Sequence, residues 1–315
     1  MLSRRLIRVK VFKVLFSKVA SGSESLQAAE KELIASCEKT LDLYCFMLSL
    51  SVALRKIAGI KIEGGLRKFQ PTEQEANPNR KFLENKFISI IAEDVKFMNL
   101  CEAKGLLWND YDSFVKKLYA TIIGREYFKE YMERPRGDVK EDFALFRRIY
   151  EEEFEGNEAL EDLLEDTSIF WMDDLAYVIN VILKNMDAFE KKDKVVVPQV
   201  FLKEDDKTYA VKLLTKSLVN YDEYTEIISG YIPNWDLERL VATDLALIVM
   251  GIAEAVTFES IPLKVTINEF VDISKYYSTP NSKVFVNGLL DKILQSLLKE
   301  GKLIKSGRGL VGSLE

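Results

Sequence analysis

The segment Ile261-Pro262-Leu263-Lys264-Val265-Thr266-Ile267-Asn268-Glu269-Phe270-Val271-Asp272-Ile273-Ser274-Lys275, followed after a short turn by Ser282-Lys283-Val284-Phe285-Val286-Asn287-Gly288-Leu289-Leu290-Asp291, reads as two consecutive amphipathic helices. Pro262 suits a first helical turn, where the N–H it lacks would have no partner. The spacing predicts a helix to about Tyr277 with Val265, Phe270 and Ile273 inward. Ser278-Thr279-Pro280-Asn281-Ser282 is a turn whose Asn or Ser can cap the next helix, expected to end near Leu298. Asn287-Gly288 inside that helix is unfavourable, Gly alone by about 1 kcal/mol relative to Ala. Close packing at Gly288 or a polar contact of Asn287 has to offset it. Phe285 is either core or, if exposed, a surface on which an unpaired base can stack.

Helical spacing continues upstream. Residues 204–218 and 221–231 read as two helices, Pro233-Asn234 as a break, and 235–255 as a strongly apolar helix. Leu237, Val241, Leu245, Ile248 and Ile252 form its inward stripe. Residues 299–315 read as a frayed tail.

At the other end of the chain, Val9, Phe12, Phe16 and Val19 make one helical stripe and Ile7, Val11 and Val14 another. A helix apolar on two sides is expected between neighbours. The first 23 residues hold six bases (Arg4, Arg5, Arg8, Lys10, Lys13 and Lys18) and no acid. Three readings fit that pattern: a solvated amphipathic face, a phosphate-binding surface, or a targeting segment of the transit-peptide kind. Ser21-Gly22-Ser23 ends this helix. A long second helix is predicted over 24–58, with Leu33, Cys37, Leu41, Tyr44, Leu48 and Val52 in its stripe.

Gly64-Gly65 and residues 71–80 read as loop. Several helices follow over 79–193, separated by Lys104-Gly105, Arg134-Pro135-Arg136-Gly137 and Gly156-Asn157. Residues 151–166 hold nine acids and no base, the pattern of a solvated face. Residues 191–198 read as a linker. The expected organisation is residues 1–200 as an N-terminal helical body with an insertion over about 65–200, and 201–315 as a C-terminal bundle.

Composition narrows the chemistry. The 315 residues carry a net charge of −6, which argues against a uniformly basic nucleic-acid binder but leaves room for a local basic patch. The absence of histidine removes the commonest general base and most zinc or iron sites. Cys37, Cys45 and Cys101 form no CxxC and are expected as buried apolar side chains in a reducing cytoplasm. No GxxxxGK[ST] or GxGxxG loop is present. Asp173-Asp174 and Asp205-Asp206 are the tightest acid pairs, in a chain where chance pairs are expected. Neither catalysis nor a cofactor nor a metal is expected. The most apolar stretch, 245–253, lies between Asp244 and Glu254 and is too short to span a membrane.

The 261–275 and 282–291 segments resemble the C-terminal signature of the NusB family, approximately IP-x-KV-x-INE, then A/S-K, then S-x-KFVNG-x-LD. Arg239 and Glu254 of the 235–255 segment also fit, and Arg4-Arg5-x-x-Arg8 with Val14-Leu15-Phe16 is similar to the family's arginine-rich opening helix. The likeness spans about residues 1–60 and 203–298, and the extra middle segment resembles the enlarged Bacteroidetes-type form.

The resemblance implies an all-α fold of two side-by-side helical bundles, here with an enlarged N-terminal region. It implies a cytoplasmic, non-catalytic transcription antitermination factor that binds boxA-type single-stranded RNA with NusE, a small-subunit ribosomal protein. Its wider partner would be the RNA polymerase antitermination complex of ribosomal RNA operons. Self-association as a homodimer is also within the family pattern. Arg4, Arg5 and Arg8 would contact phosphates, with Lys10 and Lys13 extending that surface. Ser282, Lys283, Phe285 and Asn287 would lie near the RNA at the start of the last helix. Two departures lower the charge: Val284 and Val249 stand where the family commonly has basic residues. The alternative reading is a helical protein-interaction scaffold with weak or lost RNA binding.

Overall fold

The first helix, α1 (Arg4–Ser21), starts on Ser3, whose hydroxyl accepts from the Leu6 amide. It stops at Gly22, where φ of +63° lets the amide turn back to the Lys18 and Val19 carbonyls. The computed structural model describes residues 1–22, 25–233 and 240–310, apart from the side chain of Arg308. After α1 come α2 (Leu26–Leu66), α3 (Glu73–Ala76), α4 (Lys86–Glu93), α5 (Val95–Ala103) and α6 (Asp112–Gly124). Then follow α7 (Glu126–Glu133), α8 (Val139–Glu152), α9 (Glu158–Thr167) and α10 (Leu175–Lys192). The series closes with α11 (Glu204–Val219), α12 (Tyr221–Tyr231), α13 (Ala242–Thr257), α14 (Leu263–Tyr277) and α15 (Ser282–Lys299). The chain is all-α: among the described residues there is no strand, only an isolated bridge between Leu2 and Phe201.

Two compact units are formed. A middle unit holds Met1 and Glu38–Val200, and a terminal unit holds Leu2–Cys37 with Phe201–Glu315. Helix α1, expected in an N-terminal body, is thus grouped with the C-terminal helices.

In the middle unit aromatic rings supply much of the core. Phe46 stacks on Trp108 at 4.1 Å and on Trp171 at 5.3 Å between centroids, and Phe87 stacks on Phe146 at 4.6 Å. The acidic run is not wholly solvated. Buried Glu153 accepts from Arg125 Nε at 2.8 Å and from the Tyr127 hydroxyl at 2.8 Å. Gly64 and Gly65, expected as loop, complete the last turn of α2. A Cβ on Gly65 would approach Glu75 Cγ to 3.2 Å, so glycine lets the short α3 fold over the end of α2. By length and composition α2 could cross a membrane, but 67% of its most apolar window is buried inside the protein. It reads as a core helix.

In the terminal unit α13 is the central helix, packing against α1, α11, α12, α14 and α15. Ile248, Val249, Met250, Ile252 and Ala253 are fully buried. Gly251 is the close-approach glycine: a Cβ there would lie 2.6 Å from Leu290 Cδ2 of α15. Gly288, for which close packing was considered, has open space around it. Of the expected stripe in 235–255, Ile248 and Ile252 are buried and Val241 is exposed. Trp235, Leu237 and Arg239 lie outside the described residues, as do Ser23 and Glu24. Val265, expected inward, is 42% exposed, because α14 turns Thr266 and Ile267 inward alongside Phe270 and Ile273, which are buried as expected. The tail is partly docked: Leu303 is buried, and buried Lys305 donates to the carbonyls of Ala255 at 2.7 Å and Phe258 at 3.1 Å. Burial holds the Lys305 pKa down at about 8.

Candidate nucleic-acid interface

All nine residues expected at an RNA surface belong to the terminal unit. They divide into a buried set and an exposed set.

Arg8 is buried. Its Nε donates to Glu254 Oε1 at 2.6 Å, and Nη1 donates to Glu269 Oε2 at 3.3 Å. Glu254 also accepts from the hydroxyls of Tyr209 and Thr266, the latter at 2.7 Å. Burial opposes the Arg8 charge, but Glu254, Tyr209 and Glu269 together outweigh it, and the guanidinium pKa is raised. Burial, with Glu254 alongside, drives the Tyr209 pKa well up. A guanidinium in this position ties α1 to α13 and α14 and has no open side for a phosphate. The expectation for Arg8 is therefore corrected. Lys10 is likewise buried within α1, and Ser282 is buried at the start of α15.

Ser282 has a different task. Its hydroxyl donates to Asp244 Oδ2 at 2.7 Å, while the Ser278 hydroxyl donates to Asp244 Oδ1 at 2.6 Å. The Thr279 amide donates back to Ser282 Oγ at 3.2 Å. One buried carboxylate near the start of α13 thus fixes the turn between α14 and α15. Asp244 entered the sequence reading only as the polar boundary of an apolar run. Its brace was not legible, because its partners Ser278 and Ser282 lie 34 and 38 residues away and no local pattern announces them.

The exposed set lies around that turn and along α1. Arg4 donates through Nε to buried Asp206 Oδ1 at 3.1 Å, with its guanidinium over the Tyr209 ring. Asp206 also accepts from the Lys203 amide at 3.1 Å, so it serves the start of α11. Arg5, its side chain 55% exposed, is held by Glu269 at 3.0 Å and Asp272 at 2.8 Å. The hydrogen bond to Glu269 raises the Arg5 pKa, against some burial. Lys275 pairs with Asp272 at 2.6 Å, and that bond lowers the Asp272 pKa. A shallow depression of about 470 Å³ runs over Arg5, Glu269, Asp272 and Lys275.

Lys13 is half-buried with Nζ 5.5 Å from the centre of the Tyr277 ring, and Phe12 meets the same ring at 5.6 Å. Tyr277 ends α14, so these contacts bring α1 beside the turn that leads into α15. On α15, Lys283 and Asn287 are exposed and Phe285 is half-buried, between the two alternatives read from sequence. Val284 is 71% exposed and Val249 fully buried. The first departure leaves an uncharged surface position; the second fits the core. Tyr276, which sequence reading passed over, is also exposed at this corner.

Among the described residues no group of His, Cys, Asp and Glu is arranged to hold a metal ion. The exposed part of the surface offers cations, the carboxylates of Glu269 and Asp272 that pair with two of them, an amide and aromatic rings. It suits recognition of an anionic, partly unstacked chain better than bond-making chemistry.

Comparison with known proteins gives the chain a family. The NusB family model matches residues 186–295. The chain is 42% identical over 116 residues to the transcription antitermination protein NusB of Salinibacter ruber, covering 36% of this chain and 72% of that protein. It is 36% identical over 126 residues to the protein of the same name from Chloroherpeton thalassium, covering 39% of this chain and 60% of that one. It is also 36% identical over 98 residues to that of Thermodesulfovibrio yellowstonii, covering 31% and 65%. No solved structure matches the chain. With close to three quarters of the Salinibacter protein matched at that identity, the chain belongs to the NusB family.

Proposed function

We propose that this protein is a non-catalytic transcription antitermination factor of the cytoplasm that binds boxA-type single-stranded RNA together with NusE. In that role it limits premature termination by RNA polymerase in ribosomal RNA operons. The observation that carries the reading is the corner in the terminal unit where α1 meets the α14–α15 turn. Lys13 lies against Tyr277, Asp244 braces the turn, and Lys283, Phe285 and Asn287 follow on the next helix. Arg4 and Arg5 extend the cationic surface along α1. RNA phosphates would have to compete with Glu269 and Asp272 for Arg5. This supports modest affinity for RNA alone and a gain when a partner adds contacts.

Gel shifts with boxA-like RNA and a scrambled strand, each with and without NusE, test this. Preferential, salt-sensitive binding of the boxA-like strand that tightens with NusE is expected. Equal affinity for both strands under both conditions would count against it.

The second reading, a protein-interaction scaffold with weak RNA binding, is favoured by the neutralisation of Arg5 and by uncharged Val284. Under it, protein partners would be captured while residues 1–20 gave no RNA crosslinks. Self-association as a homodimer is a further proposal, checked by sedimentation.

A further inference from the structure

Among the described residues only two aromatic side chains are fully exposed, Phe69 and Tyr276. Phe69 lies in the middle unit beside Lys68, which is engaged with Glu75, and nothing there points to a ligand. Tyr276 is different. It is 84% exposed in the last turn of α14, in the terminal unit, one residue before Tyr277.

Helical geometry explains the exposure. Ile273, Ser274 and Tyr277 turn towards the protein, with Tyr277 against Phe12 and Lys13. Tyr276, rotated by about 100° from Tyr277, lies on the open side of the helix. A tyrosine left there forgoes the stabilisation that burying a large apolar side chain brings. Its surroundings are rigid on one side, because Ser278 and Ser282 both bond to Asp244. On the other side Lys275, which precedes it, is held by Asp272, while Lys283 is exposed just after the turn and the first turn of α15 has no acid. A ring with two free bonds and both faces open costs little entropy to immobilise.

We infer that Tyr276 is a stacking platform for one unpaired nucleobase of a single-stranded RNA whose phosphates run past Lys283. This rests on the proposed function and deepens it, adding a contact that the family signature does not mark. The occupant is an RNA base rather than a protein side chain, because exposed Lys283 follows the ring across the turn, in a first helical turn without an acid, and suits a phosphate chain.

The test uses the full chain and a fluorescein-labelled 12-nucleotide boxA-like RNA, titrated by anisotropy at several salt concentrations. Wild type, Tyr276→Ala, Tyr276→Trp and Lys283→Ala are compared, together with a scan of strands carrying one abasic site each. Tyr276→Ala should weaken binding roughly 5- to 150-fold and leave the salt slope and melting temperature unchanged. Tyr276→Trp should retain affinity. Lys283→Ala should reduce the salt slope by about 0.7. At one abasic position the Tyr276→Ala loss should vanish, which a structural role for the ring would not produce. If Lys283→Ala lowers the slope while Tyr276→Ala binds as wild type does, the stacking assignment is overturned and the ring faces a protein instead. If wild type shows no salt-dependent binding, the proposed function and this inference fall together.

Discussion

Arg8 Nε donates to Glu254 Oε1 over 2.6 Å, with the side chains of the two residues 4% and 0% exposed. The pair joins α1 to the central helix α13, and Tyr209 and Thr266 complete the coordination of the carboxylate. Removing one member leaves a charge that water cannot reach, which costs far more than the pair contributes on balance.

Arg8→Met should therefore destabilise the protein by about 3–5 kcal/mol, read from the midpoint of urea unfolding. The double variant Arg8→Met with Glu254→Met should recover most of the loss, because neither charge remains buried. Arg5→Ala, at an exposed pair, should cost about 1 kcal/mol or less. Equal destabilisation by Arg8→Met and Arg5→Ala would show that the burial of Arg8 is not decisive.

Glu269 and Asp272 compete with RNA for Arg5. The combined variant Glu269→Gln with Asp272→Asn should bind single-stranded RNA more tightly than wild type. It should also steepen the log affinity against log salt slope by about 0.7, the contribution of one further phosphate contact. Anisotropy titrations at four salt concentrations would measure both. Because Glu269 also reaches Arg8, the melting temperature should be recorded alongside. An unchanged slope in a folded variant would place the RNA elsewhere.

The two helical glycines near the α13–α15 contact should respond in opposite directions. Gly251→Ala forces a methyl to 2.6 Å from Leu290 Cδ2, so Leu290 must move; a loss of about 1–3 kcal/mol is expected. Gly288→Ala meets open space and should stabilise α15 by up to about 1 kcal/mol. Thermal denaturation of both variants checks this, and stabilisation by Gly251→Ala would contradict the packing described.

Stability should be nearly level from about pH 5.5 to 7.5, since the chain has no histidine. At high pH it should fall steeply. Burial raises the phenol pKa of Tyr44, Tyr127, Tyr131, Tyr150 and Tyr209, and moves Tyr119 to about 12. Above pH 10 or so, the unfolded chain loses phenol protons that the folded chain keeps. Each such group then withdraws about 1.4 kcal/mol per pH unit. Lys305 acts oppositely: its pKa is lowered to about 8 in the fold, so it adds stability as pH rises from there towards its unfolded value. Lys81, whose pKa burial also lowers, acts in the same direction, and the raised phenols outnumber these two lysines. Tyrosinate absorbance followed with denaturant midpoints should show ionisation coinciding with unfolding; free titration of the buried phenols near pH 10 in the folded protein would oppose this.

The helices of the terminal unit were largely legible in the sequence, because Pro262, the 278–282 turn and the apolar spacing are local signals. The sorting of α1's bases was not. Arg4 and Arg8 are one turn apart and look equivalent by spacing. Arg8 meets Glu254 and Glu269, separated from it by 246 and 261 residues, and no local pattern announces those partners. Gly288 stood out beside Asn287 in the quoted signature, whereas Gly251, inside an apolar run, carries the close contact. Tyr276-Tyr277 gave no local signal as to which ring is open to water, because residues 100° apart can share a buried face, as Ile273 and Ser274 do. In the middle unit the helix pattern could be read, but nothing in it specified how Phe46 stacks on Trp108 and Trp171.

The most direct measurement is RNA–protein crosslinking with mass spectrometry on the full chain bound to a boxA-like strand and NusE. Crosslinked peptides should come from the terminal unit and cluster at α1 around Lys13, at the end of α14, and at the first turns of α15. Crosslinks confined to residues 65–200 would contradict the assignment of the RNA to the corner that Asp244 braces.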